Sequence, residues 1–248
     1  MELKGKNYIV TGASSGIGRA TCIELSRSGA NVLLVARNQD RLQDTLKLVE
    51  PTNHAVINFD LSNIDGIQGI ISGAYEKFTV IDGLIYCAGI GWGATLQKTT
   101  YELMHSIMLV NCYAFVEFVR CLTKVKPKAH IMRIVGISSV GSLTNNKHDT
   151  AYSASKAAME AAIRVMSTEL IKKNTTINSI RPAYVDTEML SSMQDVFGDF
   201  NEHIKSTGFQ PLGMIDPVDV AKLAVYLLSD AAKSITGMCV PINGGARF

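Results

Sequence analysis

Short apolar runs rich in valine and isoleucine alternate with longer segments of helical periodicity along the whole chain of 248 residues. Strands that are apolar at every position are covered on both faces, and strands that alternate with helices form a parallel sheet. The pattern predicts an α/β fold: one doubly wound domain over residues 1–248, with a seven-stranded parallel sheet and helices on both faces. The predicted strands are Asn7–Thr11, Asn31–Ala36, His54–Asn58, Ile81–Cys87, Ile131–Ile137, Thr175–Ile180 and Met238–Ile242.

The composition excludes two classes of protein. Lys plus Arg number 24 and Asp plus Glu 22, and the resulting formal charge of +2 is too small to indicate a nucleic-acid binder. Hydrophobic residues make up 47% of the chain, enough to bury a sizeable core, so the protein is not disordered. We therefore expect a globular protein without a nucleic-acid partner.

The cysteines and the apolar segments indicate the compartment. Five cysteines are scattered without a CxxC pair, which indicates a reducing compartment and predicts no metal site. The amino terminus runs into an apolar strand without the pattern of a signal peptide. The apolar stretch from Val80 to Ala94 is too short and too interrupted for a membrane helix. We expect a cytoplasmic protein with no membrane partner.

A glycine-rich turn follows the first predicted strand. It reads Thr11-Gly12-Ala13-Ser14-Ser15-Gly16-Ile17-Gly18, and a helical segment comes directly after it. Such a turn lets the backbone approach a pyrophosphate and points unpaired helix N–H groups at its charge. The spacing Gly-x-x-x-Gly-x-Gly therefore predicts dinucleotide binding in a Rossmann-type fold. A glycine-rich helix start without a ligand is the alternative.

The ends of the next two strands carry charged residues. Arg37 follows the second strand, where folds of this type place the residue that reads the cofactor ribose. A guanidinium there can pair with a 2′-phosphate, which predicts NADP(H); a solvated charge is the alternative. Asp60, after the third strand, can accept a hydrogen bond from an adenine amine or cap a helix.

Tyr152 and Lys156 lie four residues apart at the start of a long helical segment. This spacing places them on one helix face, where an ammonium favours the phenolate and lowers the pKa of the tyrosine. Ser139 follows directly after the predicted strand Ile131–Ile137, at the edge of the sheet where ligands bind. Tyr-x-x-x-Lys alone also occurs by chance on helix surfaces.

Together with the glycine turn, these residues resemble the short-chain dehydrogenase/reductase family over essentially the whole chain, and most closely its bacterial 3-oxoacyl-acyl-carrier-protein reductases. Cys87-Ala88-Gly89 looks like the family's Asn-Ala-Gly segment, and Asn111 like its helix asparagine. Arg181 to Thr187 is similar to its nicotinamide segment, and Ile235 to Gly245 to its carboxy-terminal strand.

The resemblance implies a reduction of a carbonyl group by NADPH. Tyr152 would be the general acid, Ser139 would polarise the carbonyl oxygen, and Lys156 would hold the ribose and tune the tyrosine. Asn111 would kink its helix and seat a water of the proton relay; a buried asparagine bonded to backbone is the alternative. The implied cofactor-binding residues are Gly12, Ser14, Ser15, Gly16, Ile17, Gly18, Arg37, Asp60, Leu61, Ala88, Gly89, Tyr152, Lys156, Pro182, Val185 and Thr187.

Two positions depart from the family pattern. Cys87 replaces an asparagine that ties neighbouring strands together, and a thiol makes such hydrogen bonds poorly. Ala183 replaces a glycine beside the nicotinamide, where a positive φ would strain an alanine. Either the backbone at Ala183 avoids positive φ, or the ring lies slightly shifted.

The segment from about 188 to 212 resembles the family's substrate lid. It carries five large apolar residues, which favour an acyl-like substrate or simply form an amphipathic helix: Met189, Leu190, Met193, Phe197 and Phe200. Six basic residues could form a rim that binds an acidic acyl carrier protein: Lys124, Lys126, Lys128, Arg133, Lys172 and Lys173. The alternative is that they are ordinary solvated residues at helix ends. Another ketone, such as a sugar or steroid, is an alternative substrate, and a non-catalytic sensor of NADP(H) is the alternative from another class.

The resemblance also implies a homotetramer. The family pairs subunits through two long helices, here Tyr101 to Lys126 and Tyr152 to Lys173. A small-residue face permits close two-fold packing in the second helix, at Ala157, Ala158, Ala161 and Ala162. The alternative is that this face contacts only the sheet.

Overall fold

The computed structural model describes residues 2–91, 93–125, 127, 130–144, 146–191 and 200–246. Seven parallel strands form one sheet in the order β3-β2-β1-β4-β5-β6-β7. The predicted α/β fold is confirmed, and the strand ends differ from the predicted ones by two residues at most. The strands are β1 (Asn7–Thr11), β2 (Asn31–Ala36), β3 (Ala55–Asn58), β4 (Gly83–Tyr86), β5 (Met132–Ile137), β6 (Thr175–Pro182) and β7 (Cys239–Ile242).

Helices connect the strands on both faces of the sheet. Their bounds are α1 (Gly16–Arg27), α2 (Gln39–Leu48), α3 (Ile67–Phe78), α4 (Tyr101–Met108), α5 (Ala114–Val125), α6 (Thr150–Leu170), α7 (Glu188–Ser191), α8 (Phe200–Thr207) and α9 (Pro217–Leu228). The helix predicted from Tyr101 changes form in its middle, because a π-helical segment, Leu109–Tyr113, separates α4 from α5. The second long helix begins at Thr150 and ends at Leu170.

Two apolar layers cover the sheet, and consecutive residues of each strand point into opposite layers. Ile9 of β1 belongs to the layer formed with α3, α5 and α6, whereas Val10 belongs to the layer formed with α1 and α9. Leu84 and Ile85 of β4 divide in the same way. This division explains why the strands read as continuous apolar runs.

The order in which successive strands are added to the sheet reverses between β1 and β4. Strands β1 to β3 extend to one edge of the sheet, and β4 to β7 extend from β1 to the other. A crevice opens at such a switch point beyond the carboxyl ends of the strands, and ligands of open α/β sheets bind there. Thr11 and Tyr86 are paired at this point, so the residues that follow them face each other across the crevice.

Within the described part of the chain, one helical run, 101–125, has the length and apolar composition of a membrane span. Half of its most apolar window is buried in the protein. Phe115 and Phe118 of this run belong to the core layer below the sheet. A core helix passes the same test of length and composition, and this run packs as one.

Candidate active site

The glycine turn is held tightly against the end of β4. Gly12 has a φ of +65°, and a Cβ atom there would lie 2.9 Å from the backbone nitrogen of Ala88. A Cβ atom on Gly18 would collide with the carbonyl oxygen of Gly12. Gly16 also has a positive φ, of +46°. The three glycines are therefore required by the conformation of the turn itself.

The amino end of α1 already holds an anionic group. The N–H of Gly16 donates to Oε2 of Glu188 at 3.1 Å, and Nη2 of Arg41 lies 2.9 Å from Oε1 of the same carboxylate. Arg19 fixes the turn by donating to the carbonyl oxygen of Ser14 at 2.7 Å. A carboxylate on these donors shows that the residues present suit an anion such as a cofactor phosphate.

Arg37 and Asp60 lie side by side where β2 and β3 end. Nη1 of Arg37 is 4.0 Å from Oδ2 of Asp60, and the Arg37 side chain is 65% exposed. Asp60 accepts the N–H of Ser62 at 2.9 Å, and this bond holds the pKa of Asp60 below its usual range. Asp60 thus caps a turn, whereas the Arg37 guanidinium projects beyond the strand ends. Leu61, the next residue, is buried in a core layer of the sheet.

The segment after β6 closes the crevice from the other side. Pro182 is the last residue of β6, and Val185 is buried and pairs with Ile215. Thr187 lies beside the glycine turn, since a Cβ atom on Gly16 would come within 3.0 Å of its Cγ2. The structure therefore brings the predicted nicotinamide segment and the glycine turn together.

Neither departure from the family pattern strains the site. Positive φ outside glycine occurs, in the described residues, at Thr79, His148 and Asn174, so Ala183 has an ordinary backbone conformation. Burial raises the pKa of the Cys87 thiol to about 12, and the Thr21 hydroxyl is 4.0 Å from its sulfur. Thr11 Oγ1 accepts the N–H of Ala88 at 3.2 Å and ties β1 to the residues after β4.

A cavity of about 540 Å³ contains the predicted reacting groups. Ser139, Tyr152 and Lys156 all line it, together with Gly89 and Ile17 of the predicted cofactor segments. The Lys156 ammonium lies 5.7 Å from the centroid of the Tyr152 ring, as the four-residue spacing predicts. Ser139 Oγ accepts the N–H of Gly141 at 3.0 Å, so its own proton can point elsewhere.

The pKa of Tyr152 differs from the prediction. Burial raises it, the Ser139 hydroxyl lowers it, and the Asp149 carboxylate raises it further, with a raised value as the result. The expectation that Lys156 brings the phenol to a lower pKa is therefore wrong. Burial also lowers the pKa of Lys156, while Cys87, Glu160 and Cys112 raise it. Burial is the larger effect, and the resulting pKa is about 8. Lys156 donates to the carbonyl oxygen of Ile137 at 2.8 Å.

Asn111 is buried within the π-helical segment. Its Oδ1 accepts the N–H of Ile90 at 2.8 Å, and its Nδ2 donates to the carbonyl of Ile90 and to Ser155 Oγ, both at 2.9 Å. Ser155 in turn donates to the carbonyl of Tyr152 at 2.7 Å. Asn111 thus bonds to backbone and also marks the change of helix form. It links the loop after β4 to the helix of Tyr152.

The outer wall of the cavity is part apolar and part polar. Met189 and Leu190 of the predicted lid line it, and Tyr184 lies with them. The loop before α6 contributes His148 and Asp149. Met193 and Phe197 lie outside the described residues, as does the side chain of Phe200.

The prediction of a basic rim is wrong for Arg133. Arg133 is buried, and its Nη2 lies 2.7 Å from Oδ1 of Asp230 at the amino end of the sheet, because a strand residue at that position points into the protein. Lys124, Lys172 and Lys173 are exposed, whereas Lys126 and Lys128 lie outside the described residues.

Sequence reasoning missed two carboxylates of the site, Glu160 and Glu188. Glu160 lies one helical turn beyond Lys156, and Glu188 follows Thr187 directly. Helical spacing from the Tyr-x-x-x-Lys pair indicates the first. No local pattern indicates the second, because its partners are residues near the amino terminus.

Comparisons with known proteins agree with this geometry. A family model described as Enoyl-(Acyl carrier protein) reductase matches residues 12–247. The chain is 29% identical over 246 residues to 3-oxoacyl-[acyl-carrier-protein] reductase of Chlamydia trachomatis, covering 98% of each chain. It is 28% identical over 246 residues to L-xylulose reductase of Caenorhabditis elegans, covering 98% of this chain and 96% of the relative.

A solved structure is similar over nearly the same length. A variant of actinorhodin polyketide ketoreductase with NADPH superposes with a TM-score of 0.86 at 25% identity, covering 97% of this chain and 96% of that one. The family model spans almost the entire sequence. The chain therefore belongs to the short-chain dehydrogenase/reductase family, a family of oxidoreductases that bind a nicotinamide cofactor.

Proposed function

We propose that the protein is an NADPH-dependent reductase that converts a carbonyl group into an alcohol. The observation that carries the proposal is the meeting of the Tyr152 phenol, the Ser139 hydroxyl and the Lys156 ammonium in one cavity beside the glycine turn. A sensor of cofactor state needs the turn but has no use for a proton donor at this place.

The side chains divide the reaction between them. A bound nicotinamide cofactor supplies the hydride. Tyr152 gives its proton to the carbonyl oxygen, and its raised pKa keeps that proton on the phenol at neutral pH. Ser139 donates a hydrogen bond to the same oxygen. Its own oxygen accepts the N–H of Gly141, and this bond leaves the hydroxyl proton available. Asn111 fixes the start of the Tyr152 helix through Ser155. Lys156 would hold the cofactor ribose, and Asn111 would seat a water of the relay.

NADP(H) is the proposed cofactor because of Arg37. Its exposed guanidinium at the end of β2 can pair with a 2′-phosphate, and its 4.0 Å distance from Asp60 leaves that pairing open. The similar ketoreductase was solved with NADPH, which supports the choice. The proposed binding residues are those of the glycine turn, the ends of β2 to β4 and the Pro182–Thr187 segment.

A 3-oxoacyl thioester on an acyl carrier protein is the proposed substrate. The 3-oxoacyl reductase relative and the apolar side chains of Val140, Met189 and Leu190 in the cavity wall support it. Two specific observations favour other candidates. The family model bears the name of an enoyl reductase, which favours an enoyl thioester. The L-xylulose reductase relative and the polar His148 and Asp149 in the cavity wall favour a sugar.

One assay separates these candidates. The purified protein is mixed with NADPH and, in turn, an acetoacetyl thioester, a crotonyl thioester, L-xylulose and a steroid ketone, and NADPH absorbance is followed. The proposal expects oxidation of NADPH with the acetoacetyl thioester. Oxidation only with the crotonyl thioester would favour an enoyl reductase. Tight NADPH binding without turnover of any compound would favour a sensor.

We also propose that four copies of this single-domain protein assemble in the cytoplasm. This face of α6 is not fully covered by the rest of the chain. Ala157, Ala158 and Ala162 are only half-buried, and Val165 and Tyr101 of the neighbouring α4 are largely exposed. Light scattering at micromolar concentration should give the mass of four chains. A monomeric mass would reject the assembly.

A further inference from the structure

Glu160 is a buried carboxylate that the proposed reaction does not use. It lies on α6, one turn beyond Lys156, and only 3% of the residue is exposed. It accepts four hydrogen bonds: from Ser138 Oγ at 2.7 Å, Ser142 Oγ at 3.0 Å, and Arg181 Nε and Nη2 at 2.9 and 2.7 Å. Both carboxylate oxygens are thus satisfied.

The three partners come from segments that carry site residues. Ser138 directly precedes the turn that begins with Ser139, and Ser142 is the last residue of that turn. Arg181 directly precedes Pro182 in β6, where the proposed cofactor segment begins. Glu160 therefore joins the Ser139 turn and the end of β6 to the helix that carries Tyr152 and Lys156.

A buried charge of this kind fixes geometry more than it adds stability. Removing the carboxylate from water costs several kcal/mol, and only well-oriented partners offset that cost. The bidentate Arg181 fork and the two serine hydrogen bonds fix the orientation of the carboxylate. Burial raises the pKa of Glu160, but the bonds from Arg181, Ser138 and Ser142 outweigh burial and hold the pKa below its usual range.

We propose that Glu160 is a positioning residue for the reduction, holding the Ser139 turn and the Arg181–Pro182 end of β6 on the helix of Tyr152 and Lys156. The inference rests on the proposed function. Ser139 and Tyr152 must reach one carbonyl oxygen together, and a displacement of about 1 Å can cost on the order of a hundredfold in rate.

The charge of Glu160 also acts on Lys156. Around the Lys156 ammonium stand the Tyr152 phenol and the Glu160 carboxylate of α6, the Cys87 thiol after β4 and the Cys112 thiol of the π-helical segment. Burial raises the pKa of both thiols, so they are neutral near pH 7. Among these neighbours the Glu160 carboxylate carries a negative charge, and it raises the pKa of Lys156.

The test compares two Glu→Gln variants that each break a bidentate pair with arginine. Glu160→Gln should lower the pKa of Lys156, followed by NMR on protein with ¹³C-labelled lysine, and should lower kcat by about ten- to a hundredfold with a small change in KM for NADPH. Glu117→Gln, which removes the Arg120 pair on α5 at 2.7 and 2.6 Å, should change neither.

A second variant guards against unfolding of the first. Glu160→Leu combined with Arg181→Met removes both charges and leaves neither unpaired. It should also lower the pKa of Lys156 and reduce kcat. Wild-type kcat in both variants would overturn the proposal, whatever the titration of Lys156. That outcome requires a wild-type protein that reduces a carbonyl compound, so it differs from failure of the proposed function, in which the wild-type protein would reduce no carbonyl compound.

Discussion

The two ends of the sheet each carry a cavity lined by a tyrosine, and the neighbours of the two tyrosines differ. Tyr8 is buried and Tyr152 is half-buried. At the amino end, a cavity of about 310 Å³ contains Tyr8 and Asp82, and Lys6 lies 3.0 Å from that carboxylate. At the carboxyl end, the 540 Å³ cavity contains Tyr152 beside the Ser139 hydroxyl and the Lys156 ammonium. Burial raises the pKa of both tyrosines.

The difference lies in what the charged groups do. At the amino end, Asp82 pairs with Lys6 and accepts the N–H of Asn7 at 2.8 Å, and Arg133 pairs with Asp230. At the carboxyl end, Lys156 bonds to a backbone carbonyl and keeps its capacity for a further acceptor. Paired charges hold the strand ends together, whereas an ammonium that donates to a backbone carbonyl and has further N–H groups to offer can take part in binding and proton transfer.

The largest expected effect comes from removing one hydroxyl at the carboxyl end. Tyr152→Phe keeps the ring and loses the proton donor, so kcat should fall by about 10²–10⁴-fold. NADPH affinity, measured by fluorescence titration, should hardly change. Tyr8→Phe removes the matching hydroxyl at the amino end and should leave kcat unchanged. Most of the activity surviving in Tyr152→Phe would break the distinction between the two ends.

The next effect is on stability and comes from Lys156. Its pKa is about 8 in the folded protein, below the ordinary value of about 10.4, so between these values the unfolded chain binds more protons. The contribution of Lys156 to the free energy of unfolding should therefore rise with pH across this window, by about 1.4 kcal/mol for each unit of pKa difference. Buried thiols and phenols whose pKa values are raised, such as those of Cys87 and Tyr152, contribute in the opposite direction, so a variant is needed to isolate Lys156.

Urea unfolding at pH 7.5 and 10 measures this dependence. Lys156→Met lacks the group, so the difference in free energy of unfolding between wild type and variant should shift in favour of the wild type from pH 7.5 to pH 10. Lys172→Met, at an exposed position, should follow the wild type. Equal pH dependence in the wild type and Lys156→Met would mean that Lys156 is not desolvated.

Local patterns were sufficient to predict the sheet and the turn. Strands β1 and β2 have the predicted bounds because their apolar residues, Tyr8–Val10 and Val32–Ala36, pack alternately into the two apolar layers. Gly12 and Gly16 have positive φ, a conformation that only glycine adopts readily. The positions of these glycines in the sequence therefore predict the conformation of the turn.

Groups whose environment depends on distant residues were not predictable. Glu160 is completed by Arg181, and Arg133 by Asp230, 97 residues away. The pKa of Tyr152 was expected to fall because the sequence places Lys156 nearby, but burial is a property of the whole packed cavity and dominates. Charges can be assigned to a surface or a pair only once the chain is folded.

A smaller effect, on cofactor choice, should come from Arg37. Arg37→Asp removes a partner of the 2′-phosphate and repels it, and a charge-assisted hydrogen bond is worth about 1.5–3 kcal/mol. The ratio of NADPH to NADH affinity should therefore fall by about ten- to a hundredfold in fluorescence titrations. Arg164→Asp, on an exposed part of α6, serves as the control. An unchanged ratio in Arg37→Asp would move the phosphate contact to Ser14 or Ser15.

The smallest effect is expected at the amino end, where Asp230→Asn removes the partner of Arg133. The Asp230 side chain is 96% exposed and Arg133 only 8%, so water replaces much of the interaction and the loss should be at most about 1 kcal/mol. The hydrogen bond from Arg133 holds the pKa of Asp230 below its usual range. Its stabilisation is therefore present above the unfolded pKa and disappears as pH falls through the folded one. Urea unfolding should separate wild type from variant at pH 7 and bring them together near pH 2, with kcat equal throughout. A reduced kcat in Asp230→Asn would show that the two ends of the sheet are coupled and that the paired charges do more than hold the strands.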